Sequence, residues 1–368
     1  DKSAPTGFKG QTTTTSSVVH AQGSIIDAGG SLNVQAGKDL SLTASKVHSG
    51  ADTTLAAGHD LDLNSMATLD NSSMGNKETH TSGADRTSVS SGGNLTLTAG
   101  QDITSQGAAL ASEGDTGLKA GRDINLNAAE ARSGNSERGS NKTVINETVR
   151  QQATEITGKG STSLTAGRDI TSQASNITAD QDLSLKAGRN VDLTTSTESD
   201  YAYREETKTK KGFLKKTTTH TIQEDSVTRE KGSQLSGNTV SVIAGNDLTV
   251  QGSSIAGDKG VALSAGHDLN IVTATNTEST YSLKEVKKSG LMGGGLGLSY
   301  GKQSAKSERN GEQVTQSDAR SLVGAGNGAV TLTAGNNALI KGSDVVAGGQ
   351  NGDISVTAKN IAIVAGQD

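Results

Sequence analysis

Cysteine and tryptophan are absent from this 368-residue chain, and its one proline is Pro5. Without cysteine no disulfide can staple the chain, so a secreted form must draw its stability from the fold alone. The same lack suits a chain that crosses a membrane unfolded, because no premature crosslink can block the passage. With a single proline, backbone donors stay free for long hydrogen-bonded ladders. Aromatic residues make up 2% of the sequence and only two are phenylalanine. That excludes a wide core of large side chains and leaves room for a narrow one of Leu, Ile, Val and Ala. No run of about 18 apolar residues occurs, which excludes a membrane-spanning helix. A net charge of −5 is mild for this length and predicts no general affinity for nucleic acid.

What the chain has is glycine, 47 of them, and a phrase it repeats. Ala36-Gly37-Lys38-Asp39-Leu40-Ser41-Leu42 returns as Ala57-Gly58-His59-Asp60-Leu61-Asp62-Leu63. Further copies begin at Gly100-Gln101-Asp102, Gly121-Arg122-Asp123, Gly167-Arg168-Asp169, Gly188-Arg189-Asn190, Gly245-Asn246-Asp247 and Gly266-His267-Asp268, with a weaker one at Gly335. The glycine pairs 37 and 58, 100 and 121, 167 and 188, and 245 and 266 are each 21 residues apart. A fixed short period marks a solenoid. Within each copy the aliphatic residues alternate, as in Leu40 and Leu42 or Leu183 and Leu185, which is the period of a strand. Strands this short form no independent sheet. Coiled one above another, about three to a turn and about 4.8 Å apart, they predict an all-β fold, a right-handed parallel β-helix of about 21 residues per coil.

In the repeated phrase, glycine is expected to supply positive φ at a sharp turn. The aspartate two residues later is expected to bond its own local amides. A calcium ladder is the alternative for these aspartates. The nonapeptide pattern of calcium-binding β-helices is absent, and Asn190 and Asn337 replace Asp without breaking the repeat. Cofactor and metal sites are therefore not expected.

A longer period lies above the short one. The glycines that open successive pairs stand at 37, 100, 167, 245 and 335, with spacings growing from 63 to 90 residues. The growth falls after the second phrase of each pair, in polar excursions at 64–90, 127–158, 194–235 and 273–323. Insertions at one point of a solenoid map to one face, so the prediction is one continuous segment over 1–368 with β-hairpins extruded from that face. Because Ala365-Gly366-Gln367-Asp368 repeats the opening phrase, the segment is expected to belong to a longer array.

Two excursions carry candidate contact residues. In 194–235, Lys208, Lys210, Lys211, Lys215 and Lys216 surround Phe213 at a turn expected near Gly212. They read either as a contact for an anionic surface or as solvated lysines that blunt an exposed edge. In 273–323, Leu291, Met292, Leu296, Leu298 and Tyr300 lie in a glycine-rich run. This reads either as a short membrane-entering strand or as a tip packed back on the solenoid. Gly301-Lys302 is not a phosphate loop, since Leu296 and Gln303 stand where such a loop needs Gly and Ser/Thr. An enzyme on the β-helix would need a singular carboxylate pair in a groove. The carboxylates here recur with the repeat, and the six histidines lack metal spacing, so no catalytic residue is expected.

The phrases Leu118-Lys119-Ala120-Gly121-Arg122-Asp123-Ile124, Leu164-Thr165-Ala166-Gly167-Arg168-Asp169-Ile170 and Leu263-Ser264-Ala265-Gly266-His267-Asp268-Leu269 resemble the haemagglutinin repeats of filamentous haemagglutinin-like exoproteins. The excursions opening Thr197-Glu198-Ser199 and Thr277-Glu278-Ser279 look like the second repeat region of contact-dependent growth inhibition toxins. The resemblance implies export by a two-partner outer-membrane secretion partner and display on a Gram-negative surface. It also implies a role in carrying a C-terminal toxin across a target cell's outer membrane, with that membrane's lipid or protein as partner. A monomer is expected. Adhesion, as in the resembling haemagglutinins, is the alternative function, and a polysaccharide-degrading β-helix is a remote one.

Overall fold

A computed structural model describes residues 14–294, 297–309 and 314–366. Every regular element among them is a strand. The short strands wind as a parallel β-helix with three faces. One coil runs through Ala109–Ser112 on the first face, Thr116–Ala120 on the second and Ile124–Asn127 on the third. The third face stacks ten strands in parallel. The first and second faces join into one hydrogen-bonded sheet, because Gln234–Ala244 and Ser254–Ala265 run unbroken round the corner between them.

The register puts like on like. Leu55, Leu97, Leu118, Leu164 and Leu185 pair in succession up the second face. On the third face Leu61, Ile103, Ile124, Ile170 and Val191 do the same. These side chains fill the interior and are almost wholly buried. Burial of each contributes roughly 1.5–3 kcal/mol. No coil keeps this contribution alone, since its apolar columns and its ladder both require neighbours.

The corner between the second and third faces holds the repeated phrase, and it corrects two expectations. None of the phrase's glycines has positive φ. Among the described glycines, that conformation belongs to Gly75, Gly107, Gly252, Gly290, Gly342 and Gly349. The phrase needs glycine because successive coils touch there: a Cβ on Gly188 would lie 2.2 Å from the Gly167 carbonyl oxygen. The aspartates do not cap their own turn either. Asp60 Oδ1 accepts from the Asp102 amide at 3.1 Å, Asp102 Oδ1 from Asp123 at 3.1 Å and Asp169 Oδ1 from Asn190 at 3.1 Å. Each one bonds the coil that follows. Asparagine serves equally, since Asn190 Oδ1 accepts from the Asp247 amide at 3.3 Å.

The corner between the third and first faces alternates between two designs. In one set of coils it is a tight turn at a left-handed residue: Ala44, Gly107, Ala174, Gly252 or Gly342. In the other set the chain leaves the coil at this corner and returns as a hairpin. The hairpin strands are Met66–Met74 with Lys77–Asp85, Ala129–Arg138 with Lys142–Gln152, Ser196–Gly212 with Lys215–Lys231, and Ala274–Gly294 with Gly297–Arg309. Coil strands resume at Ser88, Glu155, Gln234 and Leu322, so the closing residues of the expected excursions belong to the coil. The hairpins are not separate spikes. They pair edge to edge, with Thr14–Val19 at one end, in a single antiparallel sheet alongside the β-helix.

Candidate functional site

The hairpin sheet is the part of the molecule whose side chains are not consumed by packing. No residue from Ser196 to Lys231 is buried. Both faces of the long third hairpin are therefore open to water, and the sheet is held by its ladders and by cross-strand pairs.

Its roots are fixed by buried hydroxyls. Thr87, Thr154, Ser233 and Ser321 each stand just after a hairpin returns, and each is fully buried. Each hydroxyl donates to the carbonyl of the residue where that hairpin departed: Asn64 at 2.7 Å, Asn127 at 2.8 Å, Thr194 at 3.3 Å and Val272 at 2.6 Å. The four bonds close the neck of each hairpin. Sequence reasoning passed over these residues, although a hydroxyl residue one place before each resumed coil strand was a readable signal.

The lower sheet is charge-matched. Asp200 accepts from Arg150 at 2.5 Å and Arg229 at 2.7 Å, and these guanidiniums hold its carboxyl below the usual aspartate range. Glu205 is bonded to His220 at 2.8 Å and Tyr203 at 3.1 Å, which likewise lowers its pKa. Burial raises the pKa of the Tyr201 and Tyr203 phenols, assisted by neighbouring carboxylates.

The upper sheet is different. The turn of the third hairpin falls at Phe213-Leu214, with Leu214 in a left-handed conformation at φ 57°. Phe213 is 96% exposed. Lys208, Lys210, Lys211, Lys215 and Lys216 are all exposed around it. The fourth hairpin pairs alongside and brings Lys287, Lys288 and Lys302 to the same level. Lys216, Thr218, Lys287, Ser289, Lys302 and Ser304 line part of a shallow groove of about 460 Å³ on one face. The fourth hairpin then extends beyond the third, with Leu291 opposite Tyr300, Met292 opposite Ser299, and Gly293 opposite Leu298. Leu296 lies outside the described residues. Apart from Leu296, the expected contact residues of the two excursions thus meet at one end of one sheet, a proximity that the sequence did not disclose.

The glycines and aspartates of the repeated phrase form a second cluster at the opposite type of corner. Arg122, Arg168 and Arg189 each reach back to an aspartate of the preceding coil, Asp102, Asp123 and Asp169, with Nε–Oδ1 distances of 2.8, 2.9 and 2.8 Å. These side-chain bonds lower the pKa of Asp102 and Asp169. Asp62 and Asp192 on the third face shift upward, chiefly through burial and then through neighbouring aspartates. Asp247, His267 and Asp268 bring three ligand-type atoms within 4.8 Å of one another. The ladder already engages both carboxylates: Asp247 Oδ1 accepts the Asp268 amide at 3.0 Å, and Asn337 donates to Asp268 from both its amides.

An elongated β-solenoid with an open hairpin sheet along one corner defines a repetitive scaffold protein. The chain belongs to the hemagglutinin repeat family, whose profile matches residues 6–77, 68–144, 133–213 and 214–368. Proteins of this family are secreted cell-surface exoproteins of Gram-negative bacteria. Similar curated proteins include a "16S rRNA endonuclease CdiA" of Enterobacter cloacae, 55% identical over 43% of this chain and 5% of the relative. A "tRNA nuclease CdiA" of Escherichia coli strain STEC_O31 is 46% identical over 67% of this chain and 8% of the relative. A "Deoxyribonuclease CdiA" of Dickeya dadantii is 38% identical over 43% of this chain and 5% of the relative. The chain therefore spans under a tenth of the length of these proteins, and it is a repeat region of the CdiA type. No solved structure matches it.

Proposed function

We propose that this segment is a non-catalytic delivery rod. In this reading it is part of a contact-dependent growth inhibition toxin exported by an outer-membrane secretion partner, and it helps a C-terminal toxin cross the outer membrane of the target cell. The observation that carries the reading is the division of the chain into a packed rod and an open sheet. The rod supplies stiffness, and the sheet projects unburied contact residues from a single corner. The relatives support the non-catalytic part. Their names assign nuclease action on three substrates, 16S rRNA, tRNA and DNA, yet each matches 43–67% of this chain. Repeats shared with proteins of such different substrates do not select among those substrates.

The alternate coils supply the design of the test. In the full-length exoprotein, Ser196–Lys231 and Ala274–Ala319 would each be replaced by a tight corner copied from Gln173-Ala174-Ser175. Secretion, display and attachment to target cells should persist while toxin entry is lost. Unchanged toxin entry would refute the delivery role. Loss of attachment instead would make the sheet an adhesive surface.

A further inference from the structure

Charge on the hairpin sheet is sorted by height. Below, acids and bases pair across strands. Above, the segments 207–219 and 286–304 contain eight lysines and no aspartate or glutamate. Like charges opposite one another weaken a sheet, and Lys211 stands directly opposite Lys216. Lys208 and Lys287 reach down to Glu206 at 2.9 Å and Glu285 at 3.0 Å. The other six have no carboxylate partner among the described residues.

Strand register divides these lysines between the two faces. Lys211, Lys216, Ser289 and Lys302 are aligned across four strands, and Lys287 lies two residues from Ser289. That places Lys211, Lys216, Lys287 and Lys302 on one face. Lys210 is aligned with Thr217 and Lys288, and Lys215 with Gly212 and Gly290. Lys208, Lys210, Lys215 and Lys288 therefore share the other. A surface built to dock flat on a protein would concentrate charge on one side. Four lysines on each side suit an end that is surrounded by anions.

The next level up is uncharged. Beyond Gly290, which is still paired with the third hairpin, the fourth hairpin continues alone through Leu291–Gly294 and Gly297–Tyr300. Phe213, 96% exposed, sits at the top of the lysine level.

We propose that the upper sheet is a phosphate-binding collar. The eight lysines grip the phosphate groups of anionic lipid headgroups from both faces. This deepens the delivery reading by naming the partner chemistry as lipid phosphate.

The test uses the 368-residue chain and two kinds of vesicle, pure phosphatidylcholine and a mixture with phosphatidylglycerol. Sedimentation should show at least tenfold tighter association with the anionic vesicles, weakening steeply with salt. One variant carries Lys211→Gln, Lys216→Gln, Lys287→Gln and Lys302→Gln, and a second carries Lys208→Gln, Lys210→Gln, Lys215→Gln and Lys288→Gln. Each should weaken binding, by up to about fivefold per lysine. All eight positions are exposed in the sheet, and an unchanged circular dichroism spectrum and melting curve would confirm folding. A Phe213→Trp reporter should shift to the blue in anionic vesicles only. Equal binding to both vesicles would overturn the proposal, as would a water-exposed tryptophan. Sensitivity to only one lysine set would mean flat docking and overturn the two-sided collar. Equally tight, lysine-dependent binding to inorganic polyphosphate would mean general polyanion affinity and overturn the assignment to lipid. If vesicle binding fails while hairpin excision still blocks toxin entry, the collar falls and the delivery role stands. The reverse pattern rejects the delivery role and keeps the collar.

Discussion

The chain builds two β-structures from similar backbone ladders, and they differ in what their side chains do. In the coils, parallel strands stack like aliphatic residues, and Leu185 and Ile170 have no exposed surface. In the hairpin sheet, antiparallel strands present polar residues to water on both faces, and Ser196–Lys231 contains no buried side chain. A sheet with two polar faces specifies its register weakly. Each of its cross-strand pairs contributes roughly 0.2–1 kcal/mol. Stability is therefore concentrated in the rod, and the sheet is held in place by its roots. The sheet can then change shape without unwinding the rod that carries it.

The sharpest way to break this comparison is to delete the same atoms from both regions. Leu185→Ala should destabilise the rod by about 2–5 kcal/mol, because the coil cannot collapse around the cavity. Leu283→Ala, opposite Ile222 in the half-buried sheet, should cost less than about 1 kcal/mol. Denaturant unfolding with hydrogen exchange would locate each loss. Equal losses would mean that the sheet is as packed as the rod.

Glycine gives the next largest effect and isolates coil stacking. Gly188→Ala would drive a Cβ toward the Gly167 carbonyl oxygen and should cost roughly 1–3 kcal/mol. Gly37→Ala, where an added Cβ meets nothing within 4 Å, should fall within about 0.5 kcal/mol of the parent. Thermal melts of the two variants would decide it. If positive φ were the reason for glycine, both would be destabilised alike.

The rod was legible in the sequence because burial repeats. Leu40 and Leu42, Leu61 and Leu63, and their later copies mark strand, face and coil at once. The reason for the Gly and Asp of the phrase was not legible. Their partners lie 21 residues or more away in the neighbouring coil, and local turn chemistry accounts for the same letters. The sheet was half legible. Strand alternation and the turn near Phe213 could be read within one excursion. The pairing of Lys216 with Ser289 could not, because two polar hairpins carry no apolar pattern that declares them neighbours.

Where rod and sheet join, Thr154→Val removes the hydroxyl that donates to the Asn127 carbonyl at 2.8 Å and lies 2.9 Å from Ser105 Oγ. The shape is kept and the neck bond is lost. The expected cost is about 1 kcal/mol, seen as faster amide exchange at the base of the second hairpin. If exchange rises equally through the coils instead, the hydroxyl supports the rod and not the root.

The smallest effects are electrostatic, and their signs separate the regions. Asp102 and Asp169 have folded pKa values below the ordinary 3.8 because Arg122 and Arg189 bond them. They add stability that is present above the unfolded value and disappears as pH falls through the lower folded one. Asp62 and Asp192 are shifted the other way by burial, so they oppose folding above their raised values, and that penalty lifts as pH falls through them. Asp102→Asn should lower the melting temperature at neutral pH, an effect that fades as pH falls below about 4, and Asp192→Asn should raise it, an effect already lost by about pH 4. Asp200 in the sheet is also lowered, by Arg150 and Arg229, but its side chain is 33% exposed and solvent screens such a pair. Asp200→Asn should therefore lose its smaller effect in high salt, while Asp102→Asn keeps more of its own, since the Asp102 side chain is 20% exposed against 33% for Asp200.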